Sequence, residues 1–248
     1  MEKALETQFV CINCLNPSSS LYTEYSRDVI RMTECKNCGL IVDKYIEYDI
    51  TLIIIDLILQ YKSAYRHVLI NLNFKSFFRI IFVFLLCDAY EDWIERKSLA
   101  DPVRIFYDLE WTFYECLLKS LMEFLVYSIS IYLLINLLIQ IKQIKPKIRK
   151  FLLKTNKNYF VFSFECALIS FYGNLFIVFS IIWKLHGQYF HKMLSQSFLF
   201  ISHLQIQKAL YPEFGFWNIL AILISILFQF IAGYFTQKYI KMFTNTFY

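Results

Sequence analysis

Apolar positions run through most of this chain in long blocks, while polar ones gather in its first forty residues and in a few connections. Phe124 to Ile141 is an uncharged run of 18 residues, extendable backward to about Phe113, and Phe214 to Phe235 is another of 22. Cys166 to Trp183 makes a third of 18, reaching back to Tyr159 across Glu165. A bilayer core about 30 Å thick takes ~20 helical residues to cross. The pattern therefore predicts spans at about 113–141, 159–183 and 214–235. A first span is expected at about 68–86, where Lys75 and Arg79 would snorkel toward the headgroups. The stretch 188–211 holds Lys192, His203 and Lys208 among Leu194, Phe198, Ile201, Leu204 and Ile206. It reads as a helix lying flat in the interface, or as a fifth span held by its neighbours.

Ahead of the first span, Ile46, Ile50, Ile53, Ile54, Leu57, Ile58 and Tyr61 recur at helical spacing. Asp49, Asp56, Gln60, Ser63 and His67 form a narrow polar stripe on another side. Ile50 to Ile55 is too short to cross, so residues 42–67 are expected to form an amphipathic bridge helix in the plane of the interface. Asp43, Glu47 and Asp49 fall where acids complement a helix dipole. Asp56, among isoleucines and leucines, needs a partner, and Arg66 or His67 would supply it.

The polar first segment carries its own chemistry. Cys11-Ile12-Asn13-Cys14 and Cys35-Lys36-Asn37-Cys38 are two Cys-x-x-Cys pairs separated by 20 residues. That spacing is a zinc-ribbon signature, because two intervening residues let one tight turn aim both sulfurs at a single ion. Gly39 follows the second pair at the position where such a turn needs a positive φ; Leu15 holds that position after the first. Leu21 to Tyr25 and Val29 to Thr33, flanking Ser26-Arg27-Asp28, predict a short hairpin. No apolar cluster here suffices to fold residues 1–41, so bound Zn2+ would supply the folding energy. Four thiolates also close the site to a catalytic water.

Composition and charge orient these parts. Hydrophobic residues are 58% of the chain and aromatics 19%, with a mean hydropathy of +0.45, above the roughly 45–50% apolar content of soluble domains. The connection from Lys142 to Lys157 carries seven basic residues and no acid, so it is expected on the cytosolic side. Asp88 to Glu110 is acid-rich and can cross. Four spans then leave the ribbon and the C-terminus in the cytosol, with Trp93, Trp111, Trp183 and Trp217 near the far interface. The acidic start Met1 to Glu6 does not read as a signal peptide, which agrees with reduced cysteines. Cys87, Cys116 and Cys166 read as isolated buried thiols.

The two cysteine pairs, followed by Val42-Asp43-Lys44-Tyr45-Ile46-Glu47-Tyr48-Asp49, Ile55-Asp56-Leu57-Ile58-Leu59 and Ala64-Tyr65-Arg66-His67, closely resemble the Arv family of endoplasmic-reticulum membrane proteins. The resemblance is tight over about Phe9 to Asn71, and beyond that only the pattern of spans matches. It implies Cys11, Cys14, Cys35 and Cys38 as zinc ligands. It implies Asp43, Tyr45, Glu47, Tyr48, Asp49, Asp56, Tyr65, Arg66 and His67 as the characteristic bridge. It further implies a role in sterol and sphingolipid homeostasis, intracellular lipid movement and glycosylphosphatidylinositol precursor supply.

The expected fold is thus a mostly α membrane protein: zinc ribbon at 1–41, bridge at 42–67, and a transmembrane helical domain at 68–248. No nucleophile with a paired base, phosphate loop or open metal site is present, which argues against an enzyme. The ribbon lacks a concentrated basic patch, which argues against nucleic acid. Expected partners are membrane lipids, sterols first, and lipid-synthesis enzymes.

Overall fold

A computed structural model describes residues 9–27, 29–72, 77–99, 106–144, 146–154, 158–177, 182–183 and 189–247. The chain divides into two compact units. The first joins Met1–Lys75, Leu137–Cys166 and Leu204–Asn218; the second joins Ser76–Asn136, Ala167–His203 and Ile219–Tyr248.

The first unit begins with four short strands. β1 (Phe9–Val10) pairs antiparallel with β2 (Pro17–Ser18), and β3 (Tyr22–Ser26) with β4 (Val29–Met32). This second pair is the expected hairpin. An isolated bridge joins Glu34 to Ile41. Cys11, Leu21, Cys35 and Val42 form one buried cluster with Phe9 and Ile46 packed against it, and Val10, Ile12 and Leu15 are buried as well. Two of these seven buried residues are cysteines, so the ribbon's own apolar material is small.

The bridge is not one helix. A 3-10 turn spans Lys44–Glu47, α1 spans Ile50–Ile58, and α2 spans Lys62–Arg66. α1 stops because Gln60 takes a left-handed conformation (φ 63°). Its N–H donates to Leu57 O at 2.9 Å, and that of Tyr61 to Asp56 O at 3.0 Å. This is a Schellman-type cap with glutamine where glycine is usual. Helical periodicity runs across such a break unseen. α2 continues into a π-helical turn at His67–Asn71, closed by Leu72 N–H to His67 O at 2.8 Å.

The remaining helices are α3 (Phe77–Leu99), α4 (Phe106–Lys142), α5 (Lys147–Lys154), α6 (Tyr159–Ser170), α7 (Tyr189–Leu210) and α8 (Phe216–Phe247). Among the described residues, two helices are long and apolar enough to cross a membrane: Glu110–Lys142 and Phe216–Ile240. The expected first span, at about 68–86, includes residues 73–76, which lie outside the described residues. Val68, Leu69 and Ile70 are buried in the π-helical turn of the first unit, and α3 starts at Phe77 and runs on through Asp88, Glu91 and Asp92. The expected 159–183 span tightens to a 3-10 turn at Phe171–Leu175. There Gly173 lets Leu199 approach so closely that an added Cβ would sit 2.8 Å from it.

α7 is one continuous helix that buries several polar side chains and exposes several apolar ones. Ser195, Ser202, His203 and Gln207 are buried, whereas Tyr189, Phe190, Met193, Leu194 and Ile201 are exposed. A helix lying flat in the interface would turn its polar residues to water.

Candidate metal centre and its brace

The two cysteine pairs form matching turns. Leu15 N–H donates to Cys11 O at 2.9 Å, and Gly39 N–H to Cys35 O at 2.9 Å. Leu15 and Gly39 take φ values of 60° and 72°. Glycine enters this region freely, while a side chain costs roughly 1–2 kcal/mol. Leu15 offsets that by burying its isobutyl group, 2% exposed.

These turns converge four sulfurs. All lie within 4.8 Å of one another, with Cys11 Sγ 3.8 Å from Cys38 Sγ and Cys14 Sγ 3.6 Å from Cys35 Sγ. Thiolates about 2.3 Å from a tetrahedral ion are about 3.8 Å apart along each edge. The spacing fits, so Cys11, Cys14, Cys35 and Cys38 can together hold one metal ion. The pairs also differ electrically. Burial pushes the Cys11 thiol up to about 12 against the N–H groups of Cys14 and Asn13. For Cys35 burial pushes the same way, but the N–H groups of Asn37 and Cys38 outweigh it and bring the thiol down to about 7.

Around the first turn stands a brace that sequence spacing does not show. Arg66 Nη1 donates to Ile12 O at 2.7 Å and to Asn13 O at 2.7 Å, and its Nε donates to Ala209 O at 2.8 Å. Lys147 Nζ adds a bond to Cys14 O at 3.1 Å. Three successive carbonyls of one turn therefore accept from cations. Burial lowers the Arg66 pKa, opposed by the nearby sulfurs of Cys11 and Cys14.

Asp43 anchors a second network. It is wholly buried, and its Oδ1 accepts from Tyr45 N–H at 3.0 Å, capping the 3-10 turn. Oδ2 receives Asn71 Nδ2 at 2.6 Å and lies 2.7 Å from His67 Nδ1. Asn71 also brackets the strand start, accepting from Val10 N–H at 3.0 Å and donating to Val10 O at 2.9 Å. The π-helical turn is what brings His67 and Asn71 to one carboxylate. Asp43 is thus a buried hub and not a solvated dipole acid. Glu47, Tyr48 and Asp49 are exposed, and Asp49 precedes α1 without a side-chain cap bond.

Asp56 has different partners from those expected. Tyr45 OH donates to it at 2.8 Å and Lys44 Nζ lies 3.8 Å away, while Arg66 and His67 are engaged elsewhere. Tyr45 is 1% exposed and also meets Ser63 Oγ at 3.0 Å; burial raises its pKa. Tyr65, wholly buried, donates to Gln60 Oε1 at 2.7 Å, tying α2 back to the cap of α1. Asn71, Lys147 and Ala209 were not legible beforehand, since their partners lie 61, 133 and 143 positions away.

Helix ends complete the unit. Tyr159 OH meets Tyr211 OH at 3.0 Å, and Lys142 Nζ lies 4.8 Å from the Trp217 ring. Trp217 therefore sits beside the basic connection, whereas the four-span expectation put the two at opposite interfaces.

Comparison with known proteins adds the lineage. The chain is 30% identical to human Protein ARV1 over 235 residues, 93% of this chain and 83% of the human one. It is 32% identical to Protein ARV1 of Bos taurus over 71% of this chain and 60% of that protein. With Protein ARV1 of Saccharomyces cerevisiae the identity is 50% over 62 residues, 25% of this chain and 19% of the yeast one. No solved structure matches. Residues 10–209 match the Arv1-like family, taking in the cysteine turns, Asp43, Arg66, His67 and all but the last helix, and the chain belongs to that family.

Proposed function

We propose that this protein serves sterol and sphingolipid homeostasis in the endoplasmic-reticulum membrane, without catalysing a reaction itself. It would help sterols and other lipids distribute between leaflets or reach their enzymes. Membership of the Arv1-like family carries the reading. The brace supports it, because Arg66 and Lys147 join the first cysteine turn to helical segments far along the chain. In this reading a structural Zn2+ is held by Cys11, Cys14, Cys35 and Cys38, with the ribbon on the cytosolic face. α1 lies on that face, with Ile50, Leu52, Ile54, Ile55 and Ile58 exposed to lipid.

The topology we propose differs from four spans. The buried polar residues of α7 suit a crossing helix that faces its neighbours. α8 starts beside Lys142, at the end of α4. With the basic connection cytosolic, α8 departs from the cytosolic side and the C-terminus lies on the other.

Deleting the gene should redistribute sterol away from its normal membranes and alter sphingolipid levels, and wild type should restore both. A null strain with unchanged sterol distribution and sphingolipids would refute the reading. A second reading is a zinc-ribbon adaptor of a membrane lipid-synthesis complex, such as one assembling glycosylphosphatidylinositol. The β3–β4 hairpin favours it by exposing Tyr22, Tyr25, Val29 and Ile30. Lipid movement by the pure protein in liposomes supports the first; a stoichiometric enzyme partner lost with Cys35→Ser supports the second.

A further inference from the structure

The second unit contains charged groups that the lipid reading does not use. Asp88 of α3, Ser120 and Glu123 of α4, Asn174 of the 3-10 turn and Gln229 of α8 line one small cavity, with Phe84, Phe124 and Phe171 on its apolar side. It has room for a single water-sized particle, about 10 Å³.

Its lining is rich in acceptors and short of donors. Ser120 Oγ donates to Asp88 Oδ2 at 2.7 Å. Lys119 bonds Asp92 and lies 3.5 Å from Glu123 Oε1. Three carboxylates thus share one ammonium, leaving a formal excess of two negative charges in a largely apolar unit. Asn174, 4% exposed, turns toward the same cavity, and its Oδ1 has no hydrogen-bond partner. An orphaned buried acceptor beside two carboxylates calls for a positive or donating occupant.

Space has been kept for the arrangement. Gly233 on α8 faces Glu123, and a Cβ there would fall 1.9 Å from Glu123 Oε1. Any larger residue would push this carboxylate away.

We propose that this cavity is a Ca2+ site. Two carboxylates, a hydroxyl and the carbonyl oxygens of two amides can supply an all-oxygen ligand set, the chemistry of a hard cation. Two excess negative charges match a divalent ion. Ca2+ accepts six to eight oxygens in irregular geometry, whereas Mg2+ demands a near-ideal octahedron and sheds water reluctantly. Asp88, Glu123 and Asn174 Oδ1 are the assigned ligands, and Lys119 holds Asp92 aside.

The test is thermal unfolding of the purified full-length protein in detergent, titrated with CaCl2 and, separately, MgCl2 and NaCl at matched ionic strength. Ca2+ at about 100 times its Kd should raise Tm by about 5–10 °C, saturably and reversibly with chelator. Asn174→Leu keeps every carboxylate and removes only the orphaned acceptor. It and Glu123→Gln should fold, retain the cysteine-bound metal, and lose most of the Ca2+ increment. An increment unchanged in both variants would place the ion on surface acids and overturn the assignment. No increment at millimolar Ca2+ overturns it too, as does stabilisation by acidification alone, which would make a proton the occupant.

Discussion

Arg66 Nη1 lies 2.7 Å from Ile12 O, a bond across 54 residues that ties the start of the π-helical turn to the first cysteine turn. The same nitrogen reaches Asn13 O, and Nε reaches Ala209 O. A planar fork spreads its donors over separate nitrogens to reach three fixed carbonyls, whereas an ammonium's three donors leave from a single nitrogen. Arg66→Lys should therefore cost about 2–3 kcal/mol and speed metal release to a chelator severalfold. Lys147→Ala removes one longer, exposed bond and should accelerate release less. Equal release rates in wild type and both variants would show that the brace does not act on the metal turns.

Metal removal should unfold the ribbon. Besides Cys11, Leu21, Cys35 and Val42, only Val10, Ile12 and Leu15 are buried among the described ribbon residues, an apolar contribution too small to hold residues 9–41. Cys11→Ser or Cys38→Ser should abolish metal binding and make this segment protease-sensitive, whereas Cys87→Ser should change neither. Cys116→Ser buries a hydroxyl at a position 0% exposed and should cost about 1–3 kcal/mol with metal content intact. Elemental analysis and limited proteolysis read both effects.

Metal affinity should fall as pH falls, with a sign set by the thiols. Cys11, pushed up to about 12, and Cys38, also raised, are protonated in the metal-free ribbon at pH 7, while Cys35 at about 7 is half ionised. Binding must displace those protons, more than two per ion at pH 7. Acidifying through pH 7 protonates Cys35 as well and steepens the competition. Calorimetry of Zn2+ binding in two buffers of different ionisation enthalpy should give that proton count.

Removing the Asp43 carboxylate should strand three donors at once: Tyr45 N–H, Asn71 Nδ2 and His67. Asp43→Ala should cost about 3–5 kcal/mol, since each buried donor left without its acceptor costs about 1–3 kcal/mol. Tyr45→Phe loses one hydroxyl between Asp56 and Ser63 and should cost about 1 kcal/mol. Denaturant unfolding followed from ribbon reporters separates the two magnitudes.

Topology offers a direct check. An epitope tag after Tyr248 should resist protease in sealed microsomes, while a tag before the ribbon should be digested. Digestion of both tags would restore an even number of spans and leave α7 in the interface.

The sequence alone determined what depends on near neighbours. Two residues between paired cysteines set the knuckle turns; runs of 18 to 22 uncharged positions set the two long apolar helices; alternating residues around Ser26-Arg27 set the hairpin. Each is a short-range property of backbone geometry or hydration. Only the tertiary structure decided the rest. Gln60 ends α1 by a left-handed turn that any periodicity count passes over, and Asp43 sinks from an apparent surface acid into a buried hub. Arg66, Lys147 and Ala209 meet across more than fifty, and up to 143, positions. Such pairings are settled by which buried carbonyls lack donors once the chain has closed, and local pattern carries no trace of that.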